Sequence, residues 1–166
     1  NINEENIKPF FQLDNLVNAI FKCAYKLFEL EFSALDVPLY HEDCRAWTVS
    51  RKGVDIAVFI GDYFARPSKR SGAWCSAMRS QAKFPKKQIP IVINVCNFSK
   101  LENTVLSFDD AKTLFHEFGH ALHQILSDVT YDIISGTSVA RDFVELPSQL
   151  FEHWLEVPEI LEEFAT

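Results

Sequence analysis

The sequence predicts an α+β fold, mainly α-helical, with a small antiparallel sheet next to one long helix. Three observations carry that prediction. Apolar residues recur at helical spacing over 9–31 and again over 108–126, and Lys52-Gly53 separates two runs of strand-forming residues.

The first helix is expected over 9–31. Pro9 suits a first turn, where its missing N–H has no partner to lose, and Leu13, Leu16, Val17, Ile20, Ala24 and Leu27 share one apolar face. Two strands over 46–49 and 55–64 flank the turn residues Lys52-Gly53 as a hairpin does. A third strand is expected over 89–97, and 65–88 reads as the longest irregular stretch.

The second long helix is expected over 108–126. Ser107 with Asp110 resembles a capping box, and Ala111, Leu114, Phe115, Phe118, Ala121, Leu122 and Ile125 form its apolar face. Gly119 lies inside it at a cost of ~1 kcal/mol relative to alanine, which marks a close approach by another backbone or by a bound group. A further helix carries Phe143, Leu146, Leu150 and Trp154 as an apolar stripe, expected to be buried. Pro147 cannot donate to the carbonyl of Phe143, so a kink or a late helix start is expected there.

A length of 166 residues suits one domain with a core of its own. The net charge of −7 argues against a nucleic-acid partner, which selects a basic stripe. Lys69, Arg70, Arg79, Lys83, Lys86 and Lys87 form a modest basic cluster, either for peptide carboxylates or as solvated surface. Cysteines 23, 44, 75 and 96 lack ligand-type spacing and read as reduced, mostly buried thiols of a cytoplasmic chain. No apolar run is long enough to span a membrane.

The chemistry concentrates in His116-Glu117-Phe118-Gly119-His120. On a helix, residues i and i+4 share a face, so both imidazoles reach one Zn²⁺ ion. Such an ion lowers the pKa of a coordinated water from ~15.7 towards ~7, and Glu117 stands beside it as general base. This is metallopeptidase chemistry.

A catalytic zinc takes a third protein ligand and keeps its fourth position open. His123 lies ~10 Å along the helix from His116, too far for three histidines to share one ion. It reads as a neighbour of the ligands, as substrate-facing, or as a packed histidine. Glu145, from the next helix, is either the third ligand or an ordinary solvated acid. Metal-bound imidazoles usually donate their other N–H to a carboxylate or carbonyl, and Asp142 and Glu152 are the candidates. An extended peptide can add to a sheet edge beside the helix, with 91–97 or the hairpin supplying that edge.

The run from His116 to His123, then Ser135-Gly136-Thr137, then Asp142-Phe143-Val144-Glu145 with Pro147-Ser148-Gln149, resembles the thimet oligopeptidase and peptidyl-dipeptidase family of zinc metallopeptidases. Tyr40-His41, Arg45-Ala46-Trp47, Gly61 to Arg66 and Gly72-Ala73-Trp74 resemble it too, especially its dipeptidyl carboxypeptidase branch, the other branch being the internal-cleaving oligopeptidases such as oligopeptidase A. The resemblance implies a zincin-like core, one Zn²⁺ on His116, His120 and Glu145, Glu117 as the base, and Gly72, Ala73 and Trp74 on the cleft wall. It also implies short peptide substrates, with no nucleic acid or membrane partner, and a monomer at full length.

Family members are much longer, so residues 1–166 are expected to be part of a single catalytic domain of a longer chain. The 48% hydrophobic content and fifteen phenylalanines agree, being more than a free-standing acidic domain needs. Family members carry later tyrosines and a histidine that stabilise the oxyanion, whereas here no tyrosine follows Tyr131 and the only later histidine is His153. The piece alone is therefore expected to be a poor enzyme. The reading from another class is a non-catalytic metal-binding or interaction module.

Overall fold

The first helix among the described residues, α1 (Leu13–Phe28), buries Leu13, Leu16, Val17, Ala19, Ile20, Cys23 and Ala24, the face that the apolar spacing marks out. The computed structural model describes residues 11–101 and 104–164, so Pro9 lies outside the described residues. Helix α1 stops earlier than expected, because Glu29 turns left-handed at φ 58° and its N–H caps the carbonyls of Ala24 and Tyr25. The chain then doubles back as β1 (Leu30–Ala34), a strand hidden in the sequence within the helical pattern. Phe32 returns onto the helix it has just left, stacked on Phe21 at 4.1 Å.

The hairpin forms where expected, from β2 (Arg45–Arg51) and β3 (Val54–Phe64). Lys52 at φ 53° and Gly53 at φ 76° make the tight turn, whose backbone twist matches that of the strands. The expected irregular stretch instead contains β4 (Trp74–Arg79), and β5 (Ile91–Phe98) follows.

The five strands run in the order β1-β2-β3-β5-β4. The sheet is not purely antiparallel: β3 and β5 pair in parallel, with Ile60 opposite Ile93, and the other pairs are antiparallel. Nor is sheet a minor part: among the described residues the five strands hold 37 residues against 48 in the four α-helices, so the chain is mixed α and β. Parallel pairing needs a long crossover, and local residue patterns do not reveal which distant strand a crossover reaches. Strand β5 thus lies inside the sheet, between β3 and β4, and the edges are β1 and β4. The expectation that 91–97 or the hairpin supplies the edge near the helix is replaced by β4, since β2, β3 and β5 all lie inside the sheet.

One face of the sheet carries Val49, Ala57, Phe59, Val92 and Cys96 into the main core beneath the helices. The other carries Ala46, Ile60, Ile93 and Val95 into a smaller cluster. Helix α2 (Phe108–Ile125) lies on the first face, with the Ser107 hydroxyl accepting from the Asp110 N–H at its start. Phe118 sits edge-on to Phe59 at 5.3 Å and so seats α2 on β3.

Two short helices follow, α3 (Leu146–Glu152) and α4 (Pro158–Phe164). Pro147 occupies the first turn of α3, the late start that its missing N–H favours. Most of the expected buried stripe is not buried: Phe143, Leu146 and Leu150 are 47%, 46% and 57% exposed, only Trp154 of the four packs half-buried against the core, and α3 instead buries Ser148 and Phe151. The side of α3 that touches α2 is set by the close passage of Ser148 over Gly119, which turns Leu146 and Leu150 outward. They line an open apolar groove of about 750 Å³ with Leu126 and Ile134. All four cysteines are free thiols, with Cys23, Cys44 and Cys96 buried. No helix among the described residues is long and apolar enough to cross a membrane.

A charged knot closes the end of β3. Asp62, 1% exposed, accepts from both terminal nitrogens of Arg66 at 2.7 Å, from the Tyr40 hydroxyl at 2.6 Å and from Lys69 at 3.0 Å. Lys69 also donates to the carbonyls of Phe64 at 2.7 Å and Cys96 at 2.5 Å, so it belongs to the interior and not to a basic surface cluster. Burial alone would raise the Asp62 carboxyl, but the bonds from Arg66, Tyr40 and Lys69 outweigh it and hold the group well below the usual carboxylate range. A depressed carboxyl stabilises the fold in full above its unfolded pKa of about 4 and loses that contribution as pH falls further. Asp62→Asn is therefore expected to cost about 3 kcal/mol at pH 7, because it strands two cations. In urea titrations the gap to wild type should narrow at pH 3; an equal gap at both pH values would show that the knot contributes nothing through charge.

Candidate metal centre

Helix α2 places His116 and His120 one turn apart, with ring centroids 4.9 Å apart and planes at 81°. Gly119 faces α3 so closely that a Cβ there would meet Ser148 Cα at 2.6 Å and the Pro147 carbonyl oxygen at 2.8 Å. That approach carries the residue before α3, Glu145, to the histidines. Its Oε2 lies 3.3 Å from His116 Nε2 and 3.1 Å from His120 Nε2. Ser148, fully buried, donates to the Glu145 carbonyl at 2.8 Å and lies 3.0 Å from Oε2, so the start of α3 holds the carboxylate in place.

The donor atoms of His116, His120 and Glu145 all lie within 4.8 Å of one another. Tetrahedral zinc with ligands at ~2.0–2.1 Å separates neighbouring ligand atoms by about 3.3 Å, close to the two histidine–carboxylate distances. Two imidazoles, one carboxylate and an open side form the donor set of a catalytic zinc site, so the residues fit the ion.

Glu117 is 7% exposed, and its Oε2 is buried with no hydrogen-bond partner among the described residues. Burial pushes its carboxyl up to about 7; the His116 ring opposes the shift and the Glu145 charge adds to it. A carboxyl near neutrality is suited to take up and return a proton. Burial also holds His120 below the ordinary histidine range, favouring the neutral ring that a metal requires.

A cavity of about 400 Å³ brings His116, Glu117, His120 and Glu145 together with Ala73, Trp74, Cys75, Thr137 and Val144. Ala73 and Trp74 line this cavity beside the candidate ligands. Gly72, at φ 89°, makes the turn before β4, and Asn97 donates to its carbonyl at 2.7 Å. Thr137 also lines the cavity, on a loop held against α2 where Gly136 passes Gln124.

The remaining candidates separate cleanly. Glu152 lies 2.5 Å from His116 Nδ1. Asp142 is exposed in the turn before α3, and no hydrogen bond or ion pair joins it to either ring among the described residues. His123 lies outside the three-donor group and packs edge-on against Phe143 at 6.1 Å. Burial lowers its pKa too, and it lines the apolar groove. Ser148 and Lys112 were not singled out in the sequence as site residues. Their signal was spacing: Ser148 is three residues after Glu145, and Lys112 is one turn before His116.

A profile of peptidase family M3 matches residues 1–166. The dipeptidyl carboxypeptidase of Escherichia coli (strain K12) is 42% identical over 170 residues, which cover 99% of this chain and 25% of that protein. A thimet-like oligopeptidase of Dictyostelium discoideum is 36% identical, covering 89% of this chain and 23% of that protein. Oligopeptidase A of Escherichia coli (strain K12) is 33% identical, covering 96% and 25%. The chain therefore spans about a quarter of the length of these curated relatives. It belongs to peptidase family M3.

Because Gly119 sets the approach of α3, Gly119→Ala tests the architecture of the centre. Overpacking against backbone costs about 1–3 kcal/mol and is expected to lift Glu145 off the histidines. Urea denaturation should show the loss of stability, and chelator competition should show weaker zinc binding; unchanged values in both would contradict the close crossing.

Proposed function

We propose that this member of peptidase family M3 is part of a single, zincin-like catalytic domain that hydrolyses peptide bonds in short peptides. The observation that carries the reading is the convergence of His116, His120 and Glu145 beside the buried carboxyl of Glu117. His116, His120 and Glu145 hold the ion. When bound, zinc supplies Lewis acidity, polarising the scissile carbonyl and lowering the pKa of water from ~15.7 towards ~7.

The protein's own groups supply the proton traffic and the positioning. Glu117 takes a proton from the attacking water and returns it to the leaving amine. Strand β4 is a sheet edge, and its first residues border the cavity that holds Glu117. A peptide added along that edge through main-chain hydrogen bonds would bring a carbonyl to Glu117, in the cavity that Thr137 and Val144 also line. Release of dipeptides from a free C-terminus is the preferred specificity, supported by 42% identity to a dipeptidyl carboxypeptidase. Internal cleavage is the second reading, supported by the oligopeptidase relatives at 36% and 33%.

In the full chain, Glu117→Gln is expected to keep its zinc and lose about 10²- to 10⁴-fold in kcat, whereas His120→Ala loses the metal itself. Metal analysis beside a peptide-cleavage assay separates the two effects. Full activity in Glu117→Gln would remove the assigned base, and zinc retained without hydrolysis in wild type would favour a metal-binding module. Amidating the C-terminus of a test peptide should abolish dipeptide release; continued cleavage would favour the internal-cleaving reading.

A further inference from the structure

The two ring histidines are held differently. His120 Nδ1 is buried with no hydrogen-bond partner among the described residues, whereas His116 Nδ1 meets Glu152 Oε1 at 2.5 Å. Glu152 ends α3, the helix whose start carries Glu145. Its second oxygen, Oε2, is 3.2 Å from the ammonium of Lys112, one turn before His116 on α2. The Glu152 side chain is only 17% exposed, so its bond to the ring is largely shielded from competing water.

A carboxylate engaged by an ammonium only accepts hydrogen bonds, so the proton between Glu152 and His116 sits on Nδ1. The Nε2 lone pair then points to the side where Glu145 stands, 3.3 Å away. We propose that Glu152, steadied by Lys112, is the positioning residue that fixes His116 as its Nδ1–H tautomer and presents Nε2 to the metal. The proposal rests on the metal-site reading above. It gives one short helix two tasks at its two ends: the residue before its first turn supplies a ligand, and its last residue orients another.

The test uses the full chain and zinc. Removing the partner of a ligand histidine typically weakens metal binding about 10- to 100-fold, which is the loss expected for Glu152→Ala in competition with a chromophoric chelator. Lys112→Met leaves the bond to His116 and should cost less. In the metal-free protein, long-range ¹H–¹⁵N spectra should show His116 as Nδ1–H in wild type and as Nε2–H in Glu152→Ala. A merely structural role for Glu152 would not move that signal.

Should Glu152→Ala not fold, Glu152→Gln decides: it keeps a weaker, neutral acceptor, so His116 should remain Nδ1–H while zinc binding falls about 3- to 10-fold below wild type. A wild-type Nε2–H tautomer, or zinc affinity of a folded Glu152 variant within about twofold of wild type, overturns the proposal. Unweakened zinc binding in His120→Ala overturns the metal-site reading instead, and the tautomer spectrum still decides the role of Glu152.

Discussion

The centre depends on how closely α3 passes over Gly119. Any side chain at that position would collide with the Ser148 and Pro147 backbone, so the absence of a Cβ sets the distance between the two helices. The helical cost of a mid-helix glycine, ~1 kcal/mol, is offset by what the crossing makes possible. Glu145 and Glu152 lie at opposite ends of α3, and both meet the His116 ring, at Nε2 and Nδ1 respectively. A wider crossing would withdraw both carboxylates together.

The sheet supports this crossing from below. Phe118, between Glu117 and Gly119, enters an aromatic cluster with Phe21, Phe32 and Phe59, and its ring also lies 5.6 Å from that of Phe151 on α3. Positions along one helical turn therefore serve different neighbours: His116 and His120 the candidate ligand set, Phe118 chiefly the sheet, and Gly119 the second helix. A helix clamped on both sides loses little further freedom on taking up a ligand, which favours tight and well-oriented binding.

What was legible in the sequence was local. The bounds of α2, its Ser107 cap, the Lys52-Gly53 hairpin and the late start at Pro147 follow from spacing and backbone chemistry within a few residues. The pairing of β3 with β5 was not legible, because a parallel partner is fixed by a crossover and not by the pattern of either strand. Strand β4 was missed because it is an edge strand with three exposed positions and so lacks the apolar alternation of a half-buried strand. The buried stripe on α3 failed for a related reason: an apolar row says that a face avoids water, but not which neighbour covers it. The choice between Asp142 and Glu152 turned on the crossing itself, which no pattern within either helix encodes.

Burial acts on the acid and on a ring of this site in opposite charge directions and towards one end. It raises the carboxyl of Glu117 and lowers the imidazolium of His120, so each is drawn towards its neutral form. For His120 the neutral ring is the form with a lone pair to give. For Glu117 the shift brings the acid and base forms close in free energy near pH 7, which proton uptake followed by proton return requires. A cation beside Glu145 would lower the Glu117 carboxyl again and favour its base form before reaction. Glu117 then has two opposing influences, burial and a neighbouring charge, and the balance between them is set by residues that never touch the proton.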